Sequence, residues 1–184
     1  MFANKIGGLL FATLLACWQV AGAAGLDAAQ QGKVDAKVKE VQSWAATPAI
    51  VDAVKAYNSA KSPDAASMDQ AKWAGLSVID PFVRGLTKNA AAEVLKAKKG
   101  DVVSEAFVSG ADGGKVAFLG KPTNWSHQGK PKHDQPMSGK TWQGAVEVDE
   151  SSGLQQVQVA VPVLDGGKPI GSLVVGLSIG KLAK

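Results

Sequence analysis

The stretch from Leu154 to Lys184 constrains the fold more than any other. It reads Leu-Gln-Gln-Val-Gln-Val-Ala-Val-Pro-Val-Leu, then Asp165-Gly166-Gly167, then Lys-Pro-Ile-Gly-Ser-Leu-Val-Val-Gly-Leu-Ser-Ile. Two strand-like runs flank a glycine turn, so the segment is expected to be a β-hairpin. The turn calls for positive φ at a glycine.

Upstream, the period is helical. Val34, Val38, Val41 and Ala45 recur at helical spacing between Asp27 and about Ala46. Thr47-Pro48 interrupts, and Thr47 is expected to cap a second helix from Pro48 to about Ala60, with Ile50, Val51, Val54 and Tyr57 inward. Lys61-Ser62-Pro63-Asp64 reads as a linker. Ser67-Met68-Asp69-Gln70 has the form of a capping box and opens a short helix carrying Trp73. Asp80-Pro81 starts a further helix that Lys98-Lys99-Gly100 ends.

After Gly100 the period becomes two. Val102–Ser109 and Lys115–Leu119 read as strands around Ala111-Asp112-Gly113-Gly114. Gly120 to Lys140 reads as a long polar loop holding Trp125, both histidines and three prolines. Trp142–Asp149 is a third strand. Helices over 27–99 and then five antiparallel strands over 102–180 make an α+β domain, with a long N-terminal helix and shorter helices packed on the sheet.

Residues 1–23 read as a signal peptide. Lys5 precedes an apolar run from Ile6 to Val20, and Ala21-Gly22-Ala23 is a small-x-small cleavage site. The remainder, 24–184, fits one domain. The expected location is periplasmic or secreted. An uncleaved anchor is the alternative, although the apolar run is short for a span. The only cysteine, Cys17, lies in the leader. Leu14-Leu15-Ala16-Cys17 loosely resembles a lipobox, so a lipoprotein anchored through Cys17 is a further alternative.

The net charge of +4 is too small to argue for nucleic acid, and Arg84 is the only arginine. No P-loop, His-Glu-x-x-His or haem-attachment motif is present. His127 and His133-Asp134 do not have zinc spacing, and no third strong ligand is near. No metal or cofactor is expected. The histidines are expected to be exposed or ligand-contacting.

Several stretches, taken in order, resemble Cache domains, the extracytoplasmic PAS-like sensor modules of bacteria. They are Trp44-Ala45-Ala46-Thr47-Pro48-Ala49-Ile50-Val51, Trp73 followed by Asp80-Pro81 and Thr87-Lys88-Asn89, and Phe107-Val108-Ser109 before Asp112-Gly113. Thr123-Asn124-Trp125-Ser126-His127-Gln128-Gly129 follows. Val161-Pro162-Val163 leading to Ile170-Gly171-Ser172-Leu173-Val174-Val175 completes the set. The resemblance covers roughly residues 30–182. It implies a five-stranded sheet and a small ligand held between that sheet and a crossing loop, here Gly120 to Lys140. Receptors of that kind continue past the closing hairpin into a membrane helix and signalling domain, so the chain is expected to be an input module without its own output.

On that resemblance the candidate ligand-binding residues are Trp125, His127, Trp73, Phe107, Trp142, Lys140, Arg84 and Asp165, with Phe118 a further wall. Tryptophan lines an apolar pocket while offering one N–H. Core or loop-anchoring roles are the competing reading, foremost for Trp44 and Trp142. Lys121, Lys130, Lys132 and Lys140 would form either a solvated surface or a positive rim for an anion, and Arg84 could grip a carboxylate. Amino-acid-binding members hold the amine with an acid on the last strand. Gly176-Leu177-Ser178-Ile179 has none, and Asp165 sits in the turn, which points to a small organic carboxylate. Expected partners are that ligand, with a membrane receptor or kinase and a second copy of the chain as further candidates. Two other readings stand beside this sensor: an interaction or dimerisation protein with a filled pocket, and a hydrolase using the loop histidines.

Overall fold

The computed structural model describes residues 25–148 and 153–182. The expected signal peptide, its cleavage site and Cys17 lie outside the described residues. Helix α1 (Ala28–Ala45) opens on a capping box between Asp27 and Gln30 and buries Val34, Val41 and Trp44. Helix α2 (Pro48–Ser59) buries Ile50 and Val54. Thr47 precedes α2 but does not cap it with its side chain; the hydroxyl donates back to the Trp44 carbonyl.

Three local expectations need correction. The linker at Lys61–Asp64 runs into a one-turn helix, α3 (Pro63–Ala66), capped by Ser62. The cap of the Trp73 helix, α4 (Gln70–Gly75), is Asp69, which accepts from the Lys72 N–H, while Ser67 closes α3. The helix after Asp80 is two helices, α5 (Pro81–Lys88) and α6 (Ala90–Lys98). Asn89 divides them: its extended backbone ends α5, its side chain accepts from Ala92 N–H to start α6, and its amide donates to Val116 carbonyl.

The strands are β1 (Val103–Ser109), β2 (Lys115–Phe118), β3 (Trp142–Val148), β4 (Gln155–Asp165) and β5 (Lys168–Ser178). They form one antiparallel sheet in the order β2-β1-β5-β4-β3. The hairpin turn is Gly166-Gly167, with φ of +57° and +85°. Both central residues are left-handed, a conformation glycine adopts without steric cost.

Strand alternation sorts two faces. Val157, Val159, Val161, Val163, Leu173, Val175 and Leu177 face α1, α2 and α6 and form the larger core with Val34, Val41, Ile50, Val54 and Leu95. Phe107, Phe118, Ala160 and Val174 face the other way and pack with Trp73, Val83 and Trp125. This second face is covered by α3, α4, α5 and the segment between β2 and β3. That segment is not simply a loop, because Pro131–Met137 forms helix α7, which packs on β4 and β5. Pro131 suits a first helical turn, and Pro136 falls in its last turn. Among the described residues no helix is long and apolar enough to cross a membrane.

Candidate functional site

The second face of the sheet is polar at one end. Glu105 on β1 and Gln158 on β4 both lie opposite Gly176 of β5. With no side chain at Gly176, the outer two residues meet across it. Glu105 Oε1 accepts from Gln158 Nε2 at 2.5 Å and from Gln156 Nε2 at 3.0 Å. Gln158 Oε1 in turn accepts from Lys132 Nζ of α7 at 2.7 Å, and Ser104 donates to Gln156 Oε1 at 2.6 Å. The register slips between Val103 and Glu105, and both Ser104 and Glu105 come to lie beside Gly176.

A cavity of about 350 Å³ opens over this network. Its floor includes Ser104, Glu105, Phe107, Gln156 and Gln158, and its walls are Gly120–Asn124, His127, Lys132, Glu147 and Val148. That volume lies within the range of small-molecule sites. Cations (Lys121, Lys132) and carboxylates (Glu105, Glu147) both face it.

The middle of the same face is filled by the protein itself. His127 stacks on Phe107 at 4.9 Å and 21°. Lys115 is wholly buried beside them. Its Nζ approaches His127 Nδ1 at 2.9 Å, the Gly113 and Trp125 carbonyls at 3.1 Å each and Ser109 Oγ at 3.4 Å, and it lies 4.9 Å over the Phe107 ring. Burial drives the Lys115 ammonium down to about 7; the Lys132 charge adds to this, and Asp112 and Glu105 oppose it. Burial and then the Lys115 charge hold His127 far below its ordinary value, so the imidazole is neutral. His133 of α7, only 1% exposed, meets Ser172 Oγ through Nδ1 at 2.8 Å and the Ala111 carbonyl through Nε2 at 3.3 Å. A carbonyl only accepts, so Nε2 carries the proton and Nδ1 accepts from the serine.

The crossing segment is fastened at the β1–β2 turn. Asp112 Oδ2 accepts from Lys61 Nζ at 2.5 Å and from Tyr57 at 3.4 Å, and Oδ1 accepts from Gly114 N–H at 3.1 Å. Burial alone would raise the Asp112 carboxyl; the Lys61 hydrogen bond, the Gly114 N–H and the Lys61 charge outweigh it and hold it below its ordinary value. The Asp112 carbonyl accepts from Ser126 Oγ, and the Gly113 carbonyl from His127 N–H.

Two of the eight sequence candidates, Phe107 and His127, line the cavity. Trp73 and Trp125 instead form the buried aromatic cluster beneath the crossing segment, 5.2 Å apart, with Phe82 5.7 Å from Trp125 and Phe118 edge-on to Trp73. The Trp73 N–H is already used, donating to the Pro122 carbonyl at 2.8 Å. Trp142 is half-buried on edge strand β3, packed against that cluster and across Gly144. Lys140 and Arg84 are exposed and do not line the cavity. Asp165 is at the far hairpin, paired with Lys55 at 3.0 Å. The histidines are buried rather than exposed, because the aromatic stack and α7 cover them. Asp134 accepts from Gly129 N–H, not from a histidine. A hydrolytic Ser172–His133 pair has no route to substrate, since both side chains are buried. Among the described residues no group of three or more potential metal ligands converges.

Glu105, Gln156, Gln158 and Lys115 were not singled out in the sequence. The polar members of Gln-Gln-Val-Gln-Val and the Glu inside Val103–Ser109 were the available signals, since a polar side chain every second residue marks one face of a strand.

No protein-family model matches the chain, and no curated protein matches it significantly. Solved structures do. The sensor domain of the *V. cholerae* histidine kinase DctB is similar with a TM-score of 0.51 and 13% identity, over 83% of this chain and 53% of that one. The ligand-binding domain of the *Pseudomonas aeruginosa* PAO1 amino-acid chemoreceptor PctC, solved with GABA, gives 0.50 and 13%, over 83% and 56%. The *E. coli* DcuS sensor domain gives 0.50 and 14%, over 85% of this chain and 96% of that one. The chain thus spans about half the length of the first two domains and nearly all of the third. With helices on both faces of a β2-β1-β5-β4-β3 sheet, this chain has the fold of a single Cache domain, the PAS-like module of such sensors.

Proposed function

We propose that the protein is an exported, periplasmic sensor module that binds a small organic acid in the cavity beside Glu105 and passes its bound state to a membrane receptor or kinase. The observation that carries this reading is the hydrogen-bonded polar chain Lys132–Gln158–Glu105–Gln156–Ser104 lining a cavity of about 350 Å³. Polar groups that converge in a concave site fix a ligand's orientation. Lys121 and Lys132 supply cations for a carboxylate, and Asn124 and Thr123 add neutral partners at the rim. The absence of an acid from the last strand does not exclude an amine, because Glu105 reaches over Gly176 from the neighbouring strand. A ligand with a carboxylate at one end and a donor at the other suits this arrangement. GABA, held by the PctC domain, is of that kind.

A thermal-shift panel of mono- and dicarboxylates, amino acids and GABA tests the reading. At least one carboxylate is expected to raise Tm, and Lys132→Ala to weaken it by roughly tenfold, the loss of one charged hydrogen bond. Stabilisation unaffected by Lys132→Ala and Glu105→Gln would refute the site.

A second reading draws on the filled centre of the face. Trp125, His127 and His133 occupy the space over Ser172 and Val174. If no small molecule shifts Tm, the fold acts through its surface, as an interaction or dimerisation protein.

A further inference from the structure

His127 Nδ1 faces an ammonium, and an ammonium only donates. Nδ1 must therefore accept, which puts the imidazole proton on Nε2. Nε2 makes no hydrogen bond among the described residues, and no fully buried side-chain nitrogen there lacks a partner. The free ring edge is thus the part of His127 that reaches the cavity it lines.

The three short contacts of Lys115 match the three protons of an ammonium, two going to carbonyls and one to Nδ1. A neutral amine has two protons and a lone pair. The two carbonyls would take those protons, and the lone pair would require a proton from Nδ1. Loss of one proton from Lys115 to solvent then moves the imidazole N–H from Nε2 to Nδ1, by exchange through water at the open edge. Every contact stays satisfied in both states.

We infer that Lys115 is a positioning residue that sets the hydrogen-bond polarity of the ligand cavity: its ammonium keeps a donor, His127 Nε2–H, aimed at the ligand, and its neutral amine turns that edge into an acceptor. The inference deepens the carboxylate reading and rests on it for the identity of the ligand, though not for the switch. A carboxylate needs donors. Its binding is favoured while Lys115 is charged and falls as pH rises through about 7, where burial places this group. The charged and titratable groups that face Lys115 are Glu105 on β1, Asp112 in the β1–β2 turn, and Lys132 and His133 on α7. Lys130 and Lys132 act on His127 from the crossing segment and α7.

Long-range proton–nitrogen correlation spectra of the imidazoles report the tautomer without any ligand, and the chain has only two histidines. At pH 6 His127 is expected as Nε2–H, and by pH 10 as Nδ1–H. In Lys115→Met the pH dependence should vanish. An Nδ1–H tautomer at pH 6, or no exchange of tautomers up to pH 10, overturns the inference; the wild-type titration decides even if Lys115→Met does not fold. Calorimetry with acetate, succinate and γ-aminobutyrate at pH 6 and pH 9 supplies the second arm. Affinity for the bound probe should drop roughly tenfold, the cost of replacing a donor by an acceptor. A tautomer exchange with unchanged affinity overturns the ligand half of the inference. No binding of any probe, with the exchange intact, overturns the carboxylate reading alone and supports the Lys115 control of His127.

Discussion

Glu105 and Gln158 lie on strands that are not neighbours, yet their side chains hydrogen-bond directly over Gly176 of the strand between them. A Cβ at Gly176 would stand 2.4 Å from Gln156 Oε1 and 2.7 Å from both Glu105 Cγ and Ser104 Oγ. These are side-chain atoms rather than backbone, and Gln156 Oε1 and Ser104 Oγ are side-chain ends that can turn aside, although Gln156 is itself buried. Gly176→Ala should therefore cost about 1 kcal/mol, the scale of a lost buried hydrogen bond, while breaking the network and weakening ligand binding. Gly171, on the same strand, is different. A Cβ there would meet the Ser109 backbone oxygen at 2.3 Å, and β1 and β5 would have to part. Gly171→Ala should cost about 1–3 kcal/mol, as overpacking does. Urea denaturation of the two variants compares them. Equal losses would mean that the Glu105 network is as rigid as backbone.

Lys115 makes the stability depend on pH. Its ordinary value is 10.5, and burial lowers it to about 7 in the fold. The unfolded chain then binds more protons across that window, so stability rises with pH. The contribution is complete above the unfolded value and is lost as pH falls through about 7. Between pH 7 and 9.5 the slope should approach, at most, about 1.4 kcal/mol per pH unit from this one group. Tyr57, raised by burial and then by the Asp112 charge, opposes it only above the tyrosine's ordinary value of 10.0. Denaturant midpoints of wild type and Lys115→Met across pH 7–9.5 measure the difference. A flat wild-type profile would mean that Lys115 keeps its ordinary affinity for a proton.

The closing hairpin was legible because two independent signals agreed there. Valines every second residue gave the strands, and Gly166-Gly167 gave a turn only left-handed residues can make. The change of period after Gly100 and the five-strand count were readable for the same reason. What was not readable depends on contacts distant in sequence. Asn89 splits a helix because its amide finds the Val116 carbonyl, 27 residues on. In the sequence Lys115 is only the first residue of a strand; its burial comes from the crossing segment, which brings the Trp125 carbonyl and His127 over it. The tryptophans were read as walls, since an aromatic residue in a polar stretch is consistent with both a pocket and an anchor. Packing of α4 and α5 beneath the segment decides for the anchor.

The turn itself gives a local test. Gly167 has φ of +85°, where a β-branched side chain is strained. Nothing lies within 4 Å of a Cβ there, so the strain is purely conformational. Gly167→Val should destabilise by about 1 kcal/mol or more, with ligand binding unchanged, because the hairpin tip is remote from the Glu105 cavity. Thermal melts and calorimetry read the two quantities separately. A loss of affinity without a loss of stability would place part of the site at the hairpin.

Trp125 and Lys132 separate anchoring from recognition. Trp125 is 5% exposed, packs on Trp73 and Phe82, and presents its carbonyl to Lys115. Trp125→Ala removes a large buried ring and loosens the segment that closes the cavity. The expected cost is about 3–5 kcal/mol of stability, the range for emptying an aromatic core site. Lys132 lies half-buried at the cavity and donates to Gln158. Lys132→Ala leaves the core intact, so stability should change by less than about 1 kcal/mol while affinity for succinate or γ-aminobutyrate falls. Paired denaturation and calorimetry on the two variants would show the split. If Trp125→Ala instead left stability within error and abolished binding, the tryptophan would be a ligand contact and the aromatic cluster would not be what holds the crossing segment down.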